Sequence, residues 1–324
     1  MHEGAVTLLT FDMPLRGKQV PICEIDPWRT QYFARVPCPA DTLIPTEDSD
    51  AWLWNPQHRW VYDKLEVALR QGLEAAPHGV APQTYPVFSK PLYNLKGMGV
   101  GSRVLRSRAD YDAAYQPGHM WMPLLEGDHV SSDVALIDGV PQWWRHARGC
   151  ASGDGTFDYW EITAEHEPAV EGWGGDWCRR HLAGYTGMVN LETIAGRIIE
   201  VHLRFADQWP DLYGGDPWVE ALIRLYTEKT WRYDDHVRRR SYSVVLFLPH
   251  GRRYRHPPSD LLRDLEARAD ISSLQITFHE NLPPDRHAMP PGGFRVAIVN
   301  CWRREAGNAV RAVLRDHFLA NASA

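Results

Sequence analysis

The fold is decided by residues 188–204, which read MVNLETIAGRIIEVHLR. Polar and apolar residues alternate along both halves of this stretch, and that period of two predicts a β-hairpin. A three-residue loop at 194–196 would put its glycine where the backbone must be left-handed. That register pairs Asn190 with Glu200. A two-residue loop would instead put Glu200 opposite Leu191 and mix the two faces, so we favour the three-residue loop.

The predicted hairpin has one polar and one apolar face. The polar face carries Asn190, Glu192, Glu200, His202 and Arg204. The apolar face carries Val189, Leu191, Ile199, Val201 and Leu203. Charged side chains are common on a solvent-facing strand, which is one interpretation. The other is a hard-cation site, because carboxylate and amide oxygens ligate Mg²⁺ and a neighbouring arginine can stabilise developing negative charge.

A lysine followed by a glycine-bearing loop lies earlier in the chain. Lys90 ends an apolar segment that predicts a strand, and a loop with Gly97, Gly99 and Gly101 follows. The backbone amides of such a loop can approach phosphate oxygens closely, and the lysine adds positive charge. No Gly-Lys-Ser/Thr sequence closes the loop, so it is not a Walker motif. A surface hairpin explains the same pattern.

Two further elements flank this loop in the sequence. Residues 60–73 have apolar side chains at three- and four-residue spacing, which predicts a helix with Lys64 near its start. Residues 119–128 are apolar and then acidic, ending in Glu126-Gly127-Asp128. Such a segment suits the edge of a purine, while a buried core strand is the ordinary explanation.

The order of these elements resembles that of the ATP-grasp superfamily, over roughly residues 60–215. A lysine-bearing helix comes first, followed by a strand lysine with a glycine loop. An apolar linker strand ending in Glu-Gly and a hairpin closing on Glu-Val-His-Leu-Arg come next. The resemblance implies an α+β fold of the ATP-grasp type, in which two α+β subdomains clasp ATP, with a short N-terminal segment and a C-terminal α+β unit.

The resemblance also implies which residues bind the nucleotide. They are Lys64, Lys90, Gly97, Gly99, Met122, Leu124, Leu125 and Glu126. The two lysines would contact the ATP phosphates, and the loop at 94–101 would be a mobile flap over them. The backbone of residues 122–125 would read the adenine edge, and Glu126 or a nearby acid would hold the ribose.

The metal ligands are implied in the same way. Glu200 matches the family's metal-bridging glutamate, and Asn190 falls where the family has an acid or amide for the first metal. Glu192 is the second carboxylate of the same face, and Arg204 matches an arginine two residues beyond the last ligand. His202 stands where the family commonly has asparagine, and imidazole suits Mn²⁺ or Zn²⁺ better than Mg²⁺. The implied cofactors are ATP and Mg²⁺, with Mn²⁺ as the alternative.

The chemistry implied by the resemblance has two steps. A carboxylate attacks the γ-phosphoryl group while metal ions and Lys90 spread the charge. An amine or similar nucleophile then attacks the acylphosphate while Arg204 steadies the oxyanion. The expected protein is an ATP-dependent carboxylate–amine ligase acting on small molecules. The alternatives are an ATP-grasp phosphotransferase that stops after the first step and a nucleotide-binding module without turnover.

Bulk composition excludes several other classes of protein. Hydrophobic residues at 44% and charged residues at 23% are typical of a globular chain, and no apolar run reaches about 18 residues. The formal net charge of −6 gives no overall attraction to nucleic acid. The five cysteines lack metal or redox spacing and no secretory signal is seen, so we expect a cytoplasmic protein with no membrane partner.

Changes in composition and hydrophobic pattern along the chain predict three parts. Residues 1–58 form a short N-terminal segment with room for two or three strands, reduced from the domain that usually precedes the ATP-grasp region. Residues 59–235 form the region that binds nucleotide and metal, and within it the glycine- and aspartate-rich residues 149–158 predict a loop. Residues 236–324 form a C-terminal α+β subdomain, expected to complete the acceptor pocket or to form a homodimer surface.

Overall fold

The structure is a computed structural model, and it describes residues 26–39, 42–93, 95, 99–153, 155–283, 287, 290 and 292–323. Within residues 26–58 it has two short helices, α1 (Pro27–Thr30) and α2 (Asp48–Trp54). Residues 1–25, which complete the predicted N-terminal segment, lie outside the described part. No helix among the described residues is long and apolar enough to cross a membrane.

The smaller sheet has four antiparallel strands. They are β1 (Ala76–Pro77), β2 (Val87–Pro91), β3 (Arg103–Leu105) and β4 (His119–Pro123), in the order β1-β4-β2-β3. Helix α3 (Lys64–Arg70) begins at Asp63, whose side chain caps it by accepting from two backbone amides. The backbone amide of Lys64 donates to the carbonyl of Leu92 at 3.0 Å. The start of α3 therefore lies beside the end of β2.

The larger sheet has eight antiparallel strands. They are β5 (His129–Ile137), β6 (Val140–Gly153), β7 (Thr156–Ile162), β8 (Gly187–Ile194), β9 (Arg197–His202), β10 (Ser241–Leu248), β11 (Ile271–Ile276) and β12 (Phe294–Cys301). Their order across the sheet is β11-β12-β10-β7-β6-β5-β8-β9. Strands from before and after residue 236 thus share one continuous sheet, whereas the division into three parts stays a prediction.

The remaining helices bury the apolar faces of the two sheets. They are α4 (Arg108–Ala113), α5 (Pro168–His181), α6 (Asp216–Thr227), α7 (Ser259–Glu266) and α8 (Arg304–Ala320), with 3₁₀-helices at Arg59–Tyr62 and Pro210–Leu212. Trp177 of α5 packs in one cluster with Trp144 of β6, and Leu222 of α6 packs in another with Trp160 of β7. This burial of aromatic and aliphatic surface is the main stabilising contribution to the fold.

A two-residue loop joins β8 to β9, so the predicted three-residue loop is wrong. Ile194 pairs with Arg197 across the turn. Ala195 and Gly196 have φ angles of 49° and 72°, which are the left-handed conformations that a type I′ turn needs at both central positions. Glycine adopts such a conformation without a steric penalty, whereas Ala195 adopts it at some cost.

A β-bulge beside this turn keeps the polar face of the hairpin together. The register shifts after Glu192, and Ile199 is left unpaired in the ladder. Glu192 pairs with Glu200, and Asn190 pairs with His202 instead of the predicted Glu200. The prediction was wrong by two residues, and a shift of two changes the pairing without changing the face. The predicted polar side chains therefore still lie on one side of the sheet.

The bulge does change the apolar face. Val189, Leu191, Val201 and Leu203 are buried in one apolar cluster, as predicted, but Ile198 takes the place of Ile199. Ile199 is only partly buried and packs beside Met120 and Met122 of the smaller sheet. The bulge thus turns Ile199 toward the space between the two sheets.

Two regions of the structure differ from what the sequence predicted. Residues 149–158 were predicted to form a loop, but β6 runs to Gly153 and β7 begins at Thr156. The glycines and aspartates there mark the tip of a long hairpin, where Gly153 and Gly155 have φ angles of 106° and 76°. Helix α6 has no counterpart among the predicted elements, although its apolar spacing is typical of an amphipathic helix.

Candidate functional site

A cavity of about 390 Å³ lies between the two sheets, a volume within the usual range of small-molecule sites. The smaller sheet contributes Phe88 and Lys90 from β2 and residues 122–125 from the end of β4. The larger sheet contributes side chains from β5, β7, β8, β9, β10 and β12. A third set of lining residues comes from the N-terminal region and from the segment that follows β9.

Lys90 is buried in the wall of this cavity. Its side chain is only 3% exposed, and its ammonium donates to the backbone carbonyl of Ile199 at 2.7 Å. Burial lowers the pKa of Lys90 to about 8, with the charge of Lys64 acting in the same direction and Glu200 opposing it. The bulge at Ile199 and the strand lysine are therefore in direct contact, which joins the two sheets at this point.

Lys64 lies next to Lys90 but is held by a carboxylate. Its ammonium is 2.6 Å from Oε1 of Glu200, and both side chains are largely buried. Lys64 is outside the set of residues that line the main cavity, and it reaches the site only through Glu200. The two predicted lysines are thus brought together, with Lys90 the one that faces the cavity.

Three side chains of the hairpin form a cluster suited to a divalent cation. One ligand atom from each of Glu192, Glu200 and His202 lies within 4.8 Å of the others. Nε2 of His202 is 3.7 Å from Glu192 Oε1 and 3.6 Å from Glu200 Oε2. His129 donates to Glu192 at 3.1 Å. Burial favours the neutral acid at Glu192, but His129, His202 and Arg204 outweigh it and lower its pKa to about 2.

Asp48 sets the orientation of His202. Nδ1 of His202 is 3.0 Å from both carboxylate oxygens of Asp48. Burial alone would raise the pKa of Asp48, but Arg204 and His202 hold it well below its usual range. The ionised carboxylate can only accept, so Nδ1 donates. Nε2 of His202 then faces the two glutamates, where it is buried and has no hydrogen-bond partner among the described residues.

Asn190 lies beside this cluster on β8. Its amide nitrogen donates to Ser131 at 2.8 Å and to Asp133 at 2.7 Å, so its oxygen is the atom it can offer to a cation. Burial raises the pKa of Asp133 to about 6 against the hydrogen bonds that it accepts. One of those bonds comes from the backbone amide of Ala206 at 2.9 Å. Asp133 therefore fixes the backbone just beyond Arg204.

Arg204 follows β9 and binds the same carboxylate as His202. Its Nε and Nη2 are 2.9 Å and 3.1 Å from the two oxygens of Asp48. This two-point contact is the geometry in which arginine holds a carboxylate most firmly. Burial opposes the charge on Arg204, but Asp48 and Asp207 raise its pKa above the ordinary value. Arg204 therefore carries a fixed positive charge into the cavity wall.

A second group of charges lies next to Arg204. Arg29 of α1 forms ion pairs with Asp207 and Glu47, and both of these carboxylates line the cavity. Asp207 keeps a pKa below the usual value despite its burial, because Arg29, Arg204 and Arg295 surround it. Arginines from the N-terminal region, the hairpin and β12 thus meet at one end of the cavity.

Aromatic side chains form the wall on the β7 side. The rings of Phe157 and Trp160 are 4.4 Å apart, and the ring of Trp160 is 5.6 Å from that of Trp209. Val245 and Phe247 of β10 continue this wall. The cavity therefore has a charged region at the hairpin and an apolar region on the neighbouring strands.

Some of the other residues predicted to bind the nucleotide line the cavity, and others do not. Met122, Leu124 and Leu125 line the cavity, as does Gly99 from the glycine loop. Gly97 lies outside the described residues. Glu126 is exposed and is not among the lining residues, so the structure does not bring it to the site.

Sequence reasoning missed several residues of the site. Asp48, Arg29 and Arg295 line the cavity from distant parts of the chain, and the aromatic wall comes from β7, β10 and the segment after β9. Nothing in the sequence around Asp48 indicates that its carboxylate reaches the hairpin. Only tertiary structure brings these side chains together.

Comparison with solved structures gives extensive matches at low sequence identity. An L-amino acid ligase from Bacillus licheniformis matches with a TM-score of 0.58 and 11% identity, over 85% of this chain and 79% of that one. An ADP complex of N5-carboxyaminoimidazole ribonucleotide synthetase matches with a TM-score of 0.59 and 14% identity, over 90% and 84% of the two chains. Such matches show a shared fold.

A third solved structure includes a bound nucleotide and metal. The biotin carboxylase domain of 2-oxoglutarate carboxylase from Hydrogenobacter thermophilus, in complex with MgADP and bicarbonate, matches with a TM-score of 0.52 and 16% identity, over 79% of this chain and 66% of that one. No protein-family model matches the sequence, and no curated protein matches it either.

Proposed function

We propose that this chain, which has the mixed α+β ATP-grasp fold, is an ATP-dependent ligase that activates a small carboxylate and joins it to an amine. The observation that carries the proposal is the cluster of Glu192, Glu200 and His202, with ligand atoms within 4.8 Å. Lys90 lines the same cavity. The polyphosphate of ATP requires a divalent cation and a positively charged side chain near its oxygens. Carboxylates that bind the cation, with a lysine beside them, provide both.

The donor set fits a divalent cation. Glu192 and Glu200 would supply carboxylate oxygens, His202 would supply Nε2, and Asn190 would supply its amide oxygen. The buried Nε2 of His202, with no partner among the described residues, is the observation that supports this fit. When bound, Mg²⁺ or Mn²⁺ would neutralise charge on the phosphate oxygens.

The nucleotide lies between the two sheets in this proposal. The backbone at the end of β4, from Met122 to Leu125, reads the adenine edge, and Phe88 and Ile199 supply apolar contact to the ring. Lys90 donates to the phosphates from its buried position. Lys64 acts indirectly, because its ammonium holds the carboxylate of Glu200 in place.

The proposed reaction has two steps. An oxygen of the substrate carboxylate forms a bond to the γ-phosphorus as the bond to the leaving oxygen of ADP breaks. The amine then attacks the acyl carbon, inorganic phosphate leaves with its electron pair, and the amine nitrogen releases a proton to solvent. Arg204, fixed by Asp48 at 2.9 Å, stabilises the negative charge on the acyl oxygen. The protein acts by positioning and neutralising charge, and no covalent enzyme intermediate is needed.

The test is carboxylate-dependent release of ADP. Wild-type protein is incubated with MgATP and pooled pairs of small carboxylates and amines, and ADP and amide products are both measured. We expect ADP release that needs a carboxylate and is lost in Glu200→Gln. The exposed Glu220 of α6 provides the matched control, Glu220→Gln. Release of ADP without amide in every pool would contradict the ligase, and a stable phosphorylated product would then favour a phosphotransferase.

A further inference from the structure

Arg295 is a partly buried cation that the proposed chemistry leaves unused. It lies on β12 and lines the cavity. Its side chain forms no hydrogen bond and no ion pair with another described residue, and its Nε is buried without a partner. In contrast, Arg204 and Arg29 are both held by carboxylates of the same region. Arg295 therefore lines the cavity with a guanidinium that is not held by a carboxylate of the described residues.

A guanidinium in this position is costly without an anion. Burial lowers the pKa of Arg295 below its ordinary value, and the positive charges of Arg29 and Arg204 act in the same direction. Asp207 and Glu47 are the carboxylates that favour its charge, but both form ion pairs with Arg29. Buried charges in folded proteins are normally paired. The missing partner of Arg295 is best supplied by an anionic ligand.

One side of Arg295 is apolar and aromatic, whereas the charged group of Arg29, Arg204 and Asp207 lies near it. Arg295 pairs with Phe247 across β12 and β10, and Trp160 of β7 pairs with Ser243 of β10. Because alternate residues of a strand share a face, Ser243, Val245 and Phe247 point the same way. Trp160 and Arg295 therefore share that face with Phe247, and the cavity-lining positions agree. Trp209 extends the aromatic surface from Trp160.

The anion site also lies at the reacting end of the cavity. Arg295 is in electrostatic range of Arg204, which is bound to Asp48, and Asp48 is 3.0 Å from Nδ1 of His202. A carboxylate on Arg295 is thus on the side of the cation cluster where Arg204 lies. The residues proposed to read the adenine edge, at the end of β4, are contributed to the same cavity by the smaller sheet.

We infer that this end of the cavity binds the carboxylic acid to be activated, and that the acid carries an aromatic or other bulky apolar group. Its carboxylate binds Arg295, and its apolar body packs on Trp160, Trp209 and Phe247. The inference rests on the proposed function for the fate of that carboxylate. A small acid such as acetate or bicarbonate would leave the aromatic wall uncovered and gain none of its apolar contact.

The test uses 3-phenylpropionate as the probe. Its binding is measured by calorimetry in the presence of Mg²⁺ and a non-hydrolysable ATP analogue, with acetate and 3-phenylpropan-1-ol for comparison. We expect the acid to bind and both comparison compounds to bind about 10-fold more weakly or worse, since one lacks the ring and the other the charge. Equal binding of acetate, or no binding of 3-phenylpropionate, would overturn the inference.

Two variants locate the binding site. Arg295→Met should weaken 3-phenylpropionate by about 10-fold or more, whereas the exposed Arg315→Met of α8 should leave it unchanged. Phe247→Ala serves as a second variant, with its fold checked by thermal melting, and it should weaken the aromatic acid more than acetate. Unchanged binding of 3-phenylpropionate in both folded variants would overturn the inference.

The same titrations separate this inference from the proposed function. The affinity of the ATP analogue is measured for each protein, and we expect it to be unchanged in Arg295→Met. If the analogue does not bind to wild type while 3-phenylpropionate binds in an Arg295-dependent way, the ligase proposal fails and the acid site stands. If the analogue binds but the acid does not, the acid site fails and the nucleotide site stands.

Discussion

Asp48 and His202 are in contact across 154 residues of sequence, with both carboxylate oxygens 3.0 Å from Nδ1 of the imidazole. The pair joins α2 of the N-terminal region to β9 of the hairpin. A carboxylate behind a histidine fixes the ring and makes the other nitrogen a better ligand. In this chain that nitrogen is Nε2, which faces Glu192 and Glu200.

Asp48→Asn should therefore weaken the binding of a transition metal. The amide cannot supply the negative charge that orients the imidazole, so we expect the affinity for Mn²⁺ to fall about 10- to 100-fold. The loss can be measured by electron paramagnetic resonance of unbound Mn²⁺ in a titration. The exposed Asp176→Asn of α5 is the control and should retain wild-type affinity. Wild-type affinity in Asp48→Asn would show that His202 is not a ligand.

The affinity for ATP should depend on the protonation of Lys90. Burial brings the pKa of Lys90 down to about 8, so the ammonium is present below that pH and lost above it. Since phosphate oxygens bind the charged form, we expect ATP to bind more weakly as the pH rises from 7 to 9. Fluorescence or calorimetric titrations over this range give the profile.

Lys90→Met is the matched variant for this pH dependence. It should bind ATP about 10-fold more weakly at pH 7 and should lose the change in affinity between pH 7 and 9. The exposed Lys229→Met should keep the wild-type profile. A wild-type profile that stays flat, or one that persists in Lys90→Met, would contradict the assignment of Lys90 to the phosphates.

Gly307→Ala should destabilise the fold, because α8 packs closely on the larger sheet at this glycine. A Cβ there would lie 2.5 Å from Sγ of Cys301 and 2.8 Å from a methyl group of Val244. Overpacking of this kind costs ~1–3 kcal/mol, measurable by urea denaturation. Gly172→Ala in α5 is the opposite case, with open space around its Cβ, and should stabilise by ~0.5–1 kcal/mol. Equal effects of the two substitutions would contradict the packing described for α8.

The alternation of residues in the hairpin predicted the polar face correctly even though its register was wrong. In a pattern with a period of two, a register shift of two residues leaves every side chain on the same face. The two-residue loop alone shifts the pairing by one residue, and the extra residue of the bulge at Ile199 makes the total shift two. Local sequence gives no clear sign of such a bulge. The predicted pairing of Asn190 with Glu200 was therefore wrong because it assumed a three-residue loop, and the sequence does not determine the type of turn.

The residues that complete the site could not be predicted from local sequence patterns, for a different reason. Asp48 lies in a helix and Arg295 in a strand, and each has an unremarkable sequence context. Asp48 reaches the hairpin because α2 packs on the 3₁₀-helix Arg59–Tyr62, which in turn contacts β9. Arg295 reaches the cavity because β12 joins the same sheet as β8. Contacts between such distant residues are set by tertiary packing, which a single sequence does not show.

The central claim is that the face shared by Glu192, Glu200 and His202 binds a nucleotide through a divalent cation. Calorimetric titration of ATP into the wild-type protein, with and without Mg²⁺, tests it most directly when repeated on Glu200→Gln and Glu220→Gln. We predict binding that requires the cation, that weakens about 10-fold or more in Glu200→Gln, and that is unchanged in Glu220→Gln. Absence of binding to the wild type, or equal binding to all three proteins, would contradict the claim.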